Sequence, residues 1–160
     1  MKNTVREGDG MKAFTKREKR LLVLVILTLC FIWGNSMMPG SISGAISDRV
    51  SELLSQLLHL PLDTAAGHGT VRKLAHGTEY LILAAELTVL LRFWRIHPWS
   101  AVFLCGAGTA LLDETIQLFA ADRAGQIQDV WIDLGGFCAG VLICLAIRRH
   151  RMNKAEKREA

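Results

Sequence analysis

The stretch "RKLAHGTEYLILAAELTVLL", residues 72–91, holds two contrary signals. From Leu74 to Leu91 it is apolar enough to cross a membrane, and a helix needs roughly 20 such residues (range about 17–25) to span the hydrocarbon core. Yet its first turns carry Arg72, Lys73, His76 and Glu79, and Glu86 sits deeper. An Asp or Glu at mid-membrane costs roughly 2.5–3.5 kcal/mol on insertion scales, and less near the interface. These groups therefore require partners inside the protein rather than lipid.

Working outward, the rest of the 160-residue chain repeats the apolar signal. Apolar residues make up 51% of the chain and fall in four blocks, about 21–38, 74–91, 99–119 and 130–147. Leu21 to Trp33 and Phe137 to Ile147 have no polar face, which excludes a soluble bundle. The expected fold is all-α, a four-span helical membrane bundle over 21–147, with basic tails at 1–20 and 148–160. The first block lacks a small-x-small cleavage site and reads as a retained anchor. The two tails read as solvated, partly disordered ends that touch anionic lipid.

Charge sets the expected orientation. Of the 19 Lys and Arg residues, 15 flank one side of the bundle: seven precede the first span, Arg92 and Arg95 follow the second, and six follow the fourth. The other side has Arg49, Arg72, Lys73 and Arg123 alone. By the positive-inside bias both termini are cytoplasmic. The net charge of +4 then reflects topology, and no basic stripe interleaved with aromatics points to nucleic acid. Cys30, Cys105, Cys138 and Cys144 all lie within spans without CxxC spacing, so they read as small apolar residues.

The longest connection, 39–71, is expected outside. Ile46, Val50, Leu53, Leu54, Leu57 and Leu58 recur at helical spacing, with Asp48, Arg49, Glu52 and Gln56 on the other face. This is an amphipathic interfacial helix, about 45–60, which shields the bundle's outer mouth, covers a site or meets a partner. "AAGHGT", 65–70, reads as a flexible turn. Gly106 with Ala110, and Gly136 with Gly140, are small residues four apart, and read as the packing of spans three and four.

At 100° per residue, Arg72, His76, Glu79 and Glu86 fall on one stripe of the second span. Asp113, Glu114 and Gln117 share a face of the third, and Asp129 and Asp133 open the fourth one turn apart. With a rise of about 1.5 Å per residue, the ionisable groups of three spans fall in one layer just under the outer surface. Their available cations are Arg72, Lys73, His76 and Arg123. The layer is expected to form a shared polar pocket, with Arg72 facing carboxylates and Lys73 facing a headgroup.

These residues carry a resemblance. "RKLAHGTEY" followed by "DETIQLFAADRAGQIQDVWIDLGG" resembles the VanZ-like family of small bacterial membrane proteins. The matching positions are Lys73, His76, Glu79, Tyr80, Asp113, Glu114, Gln117, Arg123, Asp129, Asp133 and Gly136. Asp133 stands where the family often has Asn. The resemblance implies a multi-pass protein of the bacterial plasma membrane, acting on the cell envelope and linked to resistance to the glycopeptide teicoplanin.

Four functions follow as expectations. The first is a site for a membrane lipid or lipid-linked envelope precursor, with Arg72, Lys73 and Arg123 holding an anionic group and Tyr80, Gln117 and Asp129 completing the lining. The second is a metal-assisted hydrolase or transferase, in which His76, Glu79, Asp113, Glu114 and Asp133 are the catalytic candidates and suit a divalent cation. The third is a small proton-linked transporter using Glu86. The fourth is a scaffold in which the network only fixes helix register. Oligomeric state is left open.

Overall fold

The computed structural model describes residues 14–59, 65–94 and 99–159. Five helices follow one another: α1 (Lys16–Met37), α2 (Gly40–Leu58), α3 (Ala65–Phe93), α4 (Trp99–Gln117) and α5 (Ile127–Glu159). The first is started by a capping box. Glu18 N–H donates to Thr15 Oγ1 at 3.2 Å, and Thr15 N–H donates to Glu18 Oε2 at 2.7 Å, which satisfies two of the donors that a helix start leaves free.

Three helical segments, Lys16–Met37, Gly69–Phe93 and Ile127–Arg158, are long and apolar enough to cross a membrane. The third expected span is not among them. Asp113, Glu114 and Gln117 fill the last two turns of α4, so its apolar run is short. Outward-facing Leu24, Leu27 and Phe31 on α1, Leu104 and Leu111 on α4, and Leu142 and Ile143 on α5 give the bundle an apolar exterior. The interior is small: Ile32, Tyr80, Leu83, Leu90, Ala110 and Phe137 form its buried centre.

The most extensive interface is α3 on α5, and its closeness comes from glycine. Gly136 lies so near the Gly77 carbonyl that any Cβ there would overlap it, and a Cβ on Gly140 would meet Leu81 O and stand 2.9 Å from Ala84 Cβ. Small residues let membrane helices approach in this way. The expected pairing of Gly136 and Gly140 with the third span is thus corrected, since both face α3. Gly106 does serve the α4–α5 contact, where a Cβ would stand 2.7 Å from the Phe137 ring.

Three element boundaries also differ from expectation. Residues 65–70 are the first turns of α3 rather than a flexible turn. The basic segment after Ile147 continues α5 to Glu159 instead of fraying, because Arg, Lys, Met, Ala and Glu are strong helix formers. The interfacial helix starts at Gly40, earlier than expected. Of the expected basic tail 1–20, residues 1–13 lie outside the described residues, and Lys16 to Arg20 form the first turns of α1.

Helix α2 packs on α3 through its serines rather than its leucines. Ser51 is fully buried and Ser43, Ser47 and Ser55 are half-buried, each one turn from the next. Ile42, Ile46, Val50, Leu53 and Leu57 are exposed. The apolar face is therefore turned away from the bundle.

Candidate functional site

Every helix but α2 sends polar side chains to one end of the bundle. The sequence makes this possible in two ways. Helical spacing stacks Arg72, His76 and Glu79 on α3 and Asp113 and Gln117 on α4, and the loop 118–126 folds back over them. The loop is fastened at its middle and at its far end. Gln126 N–H donates to Glu114 Oε2 at 2.6 Å, and Gly40 N–H donates to Ala121 O at 2.9 Å. Asp122 takes a left-handed backbone (φ 57°), a conformation that Asp tolerates better than most residues. The turn brings Arg123 to the layer.

Gln117 is the hub. Fully buried, it donates from Nε2 to Glu114 Oε1 at 2.9 Å and to Asp113 Oδ2 at 3.2 Å, and its Oε1 accepts from Arg72 Nη2 at 2.9 Å. Arg72 therefore joins the layer through an amide and not through a carboxylate. Among the described residues neither Arg72 nor Arg123 closes an ion pair with an acid; the close charged contacts in the layer belong to His76. Burial first, and the Arg72 guanidinium second, hold Arg123 below the ordinary arginine value, although a guanidinium stays charged at physiological pH. Arg123 Nε and Nη1 and Arg72 Nε are buried without a partner.

His76, Asp113 and Asp133 meet from three helices. His76 Nδ1 stands 3.6 Å from Asp133 Oδ1 and 3.9 Å from Asp113 Oδ2. Asp113 and Asp133 are fully buried, and Asp129 and Glu114 nearly so. Tyr80 is also fully buried, and its hydroxyl has no partner.

Glu79 stays within electrostatic reach of His76, Asp113 and Asp133 and is held from α1, where Asn35 Nδ2 donates to its Oε1 at 3.1 Å. One expected member stands apart. Lys73 is exposed, on a different face from Arg72. Glu86, two turns further along α3, faces Thr28 of α1.

The sequence reading missed what α1 supplies. Ser36 is fully buried and donates to Asp113 Oδ1 at 2.6 Å, and Asn35 holds Glu79. "GNSMMPG", 34–40, reads as the end of a span, yet two adjacent polar residues before a proline were the available signal. The Gln126 contact uses backbone and leaves no signature in residue type.

The arrangement suits two chemistries. Unspent guanidinium donors suit an oxyanion, and convergent imidazole and carboxylate atoms suit a cation. A family model described as VanZ/LLP1 matches residues 21–148. No curated protein and no solved structure matches the chain. The matched span takes in most of each membrane-competent segment and the whole polar layer, and with the apolar exterior it makes this a membrane protein. The chain belongs to the VanZ-like family.

Proposed function

We propose that the protein spans the bacterial plasma membrane four times, with both termini cytoplasmic. In this reading the polar layer lies just under the outer surface and binds the anionic headgroup of a membrane lipid or lipid-linked envelope precursor. One observation carries it: Arg72 from α3 and Arg123 from the loop both keep buried donors unspent, within reach of each other's charge. Two like charges are brought together at a cost, and a shared phosphate or carboxylate removes that cost while accepting the free N–H groups. The exposed Lys73 adds a point charge at the rim.

Helix α4 serves as the remaining span. Its Phe103, Leu104, Leu111 and Leu112 face outward, and its polar last turns enter the protein interior, not lipid. The bias of 15 basic residues against four supports the orientation. Helix α2 then lies in the outer interface with Ile42, Ile46, Val50, Leu53 and Leu57 in lipid. Cysteines at Gln56 and Asn153, in a background without the four native cysteines, test this. An impermeant maleimide applied to intact cells should label position 56 and spare 153; equal labelling of both would refute the orientation.

The headgroup itself is tested by lipid retention. Wild-type protein extracted in mild detergent should keep anionic phospholipid in native mass spectra, and Arg123→Gln should lose it. In a strain where the protein confers glycopeptide (teicoplanin-type) resistance, the same variant should lower that resistance. Undiminished lipid retention by Arg123→Gln would remove the anion site. A second reading, a metal-assisted hydrolase or transferase, is favoured by the meeting of His76, Asp113 and Asp133. Ser36, a hydroxyl within the layer, donates to Asp113 and not to a histidine base.

A further inference from the structure

One ligand atom from each of His76, Asp113 and Asp133 lies within 4.8 Å of the other two. The separations of 3.6 and 3.9 Å from His76 Nδ1 are too long for direct hydrogen bonds, which for N–H···O end near about 3.2 Å. Both carboxylates are fully buried, and the His76 side chain is 10% exposed. Yet His76 Nδ1 and both oxygens of Asp133 have no hydrogen-bond partner. Buried polar atoms are nearly always satisfied, and an isolated buried carboxylate is among the costliest exceptions. These atoms are too far apart for direct hydrogen bonds, and at 3.6 and 3.9 Å they stand slightly wider than ligands around a common centre, so a small side-chain adjustment would close them on an ion. Two donors each about 2.0–2.2 Å from a metal stand roughly 3–3.5 Å apart.

We propose that His76, Asp113 and Asp133 bind a divalent first-row transition-metal ion. The donor set selects the class. Calcium takes six to eight oxygens, and magnesium holds its waters and avoids nitrogen. One imidazole nitrogen with two carboxylates suits Mn²⁺ or Zn²⁺. Asp113 is already oriented as a ligand is: Ser36 donates to its Oδ1 and Gln117 to its Oδ2, the kind of outer contact that fixes a ligating carboxylate. Asp133 has both oxygens free to coordinate. Three protein ligands leave a coordination position open for a bound group. The metal site uses different residues from the guanidinium pair, so the two proposals stand or fall separately.

The test uses the full-length protein in detergent, with its affinity tag removed, stripped with EDTA and titrated separately with MnCl₂ and ZnCl₂. Bound metal is measured by elemental mass spectrometry after desalting, and thermal melting is followed in parallel. Wild type should retain a single ion per chain and melt higher with it. His76→Gln and Asp133→Asn should retain none and show no rise, and Ser36→Ala should bind roughly 10–100-fold more weakly. Asp133→Asn removes a buried charge that no hydrogen bond satisfies in the metal-free pocket, so in EDTA it should melt no lower than wild type. Failure of wild type to bind either ion, or equal binding by His76→Gln, would overturn the site. So would Asp133→Asn melting well below wild type in EDTA, which would make His76 and Asp133 a plain ion pair.

Discussion

Gly136→Leu should keep the protein from accumulating in folded form, while Gly135→Leu, one residue away, should express and melt as wild type does. The difference comes from the backbone. At Gly136 a Cβ would overlap the Gly77 carbonyl and stand 2.8 Å from the Gly77 Cα, so no side-chain rotamer relieves the clash. Overpacking a core usually costs about 1–3 kcal/mol when side chains give way; here α3 and α5 must move apart as whole helices. That motion would pull Asp133 away from His76 and dismantle the layer. Gly135 is exposed, and a Cβ there meets nothing within 4 Å, while leaving glycine gains up to about 1 kcal/mol of helix propensity. The relation is also one-sided. Gly77→Ala brings its Cβ only to 3.8 Å from Ile132 Cγ2, ordinary contact, and should be tolerated. Fluorescence-detected size exclusion of tagged variants reads all three. A monodisperse, wild-type-like peak for Gly136→Leu would mean that α3 and α5 can part at Gly136 without loss of the fold.

This crossing marks the limit of what the sequence discloses. Spacing identified Gly136 and Gly140 as a close-approach face, but a small-residue stripe names no partner, and the fourth apolar block could as well have met the third as the second. The site was legible where periodicity governs it. One turn of helix places His76 above Tyr80 and Asp113 above Gln117, and the cost of a buried acid requires that such faces turn inward. Contributions from elements whose residue types look ordinary were hidden. Asn35 and Ser36 read as a span's end, and the Gln126 contact is backbone. Glu79 shares a stripe with His76 but is turned to α1 by Asn35. The expected contact of Arg72 with an acid is replaced by one with Gln117, because the amide offers an acceptor on one side and donors to two carboxylates on the other.

That replacement makes Gln117 the residue whose chemistry the layer can least spare. Gln117→Glu should be the most destabilising single change among the charged and polar residues of the layer, although it is nearly isosteric. The Gln117 amide donates to Asp113 and Glu114 at 3.2 and 2.9 Å; a carboxylate in its place would face both acids without a proton to give. Two donated bonds become two repulsions in a buried site, where breaking one partner of a charged pair already costs about 3–5 kcal/mol. Gln117→Leu keeps the volume but leaves Asp113 Oδ2, Glu114 Oε1 and the Arg72 donor without this partner, so it should be damaging but less so. Arg72→Gln loses one contact of a half-exposed side chain, about 1–2 kcal/mol, and Lys73→Gln, exposed, should fall within about 0.5 kcal/mol of wild type. Because Arg72 reaches the layer through Gln117, the double variant Arg72→Gln with Gln117→Leu should melt close to Gln117→Leu alone, a non-additivity that independent sites do not show. Melting of the five variants in one detergent, at matched expression, orders them. If Gln117→Glu melts with wild type, or if the Arg72 and Gln117 losses simply add, Gln117 is not the hub, and the guanidinium of Arg72 is held by something other than its amide.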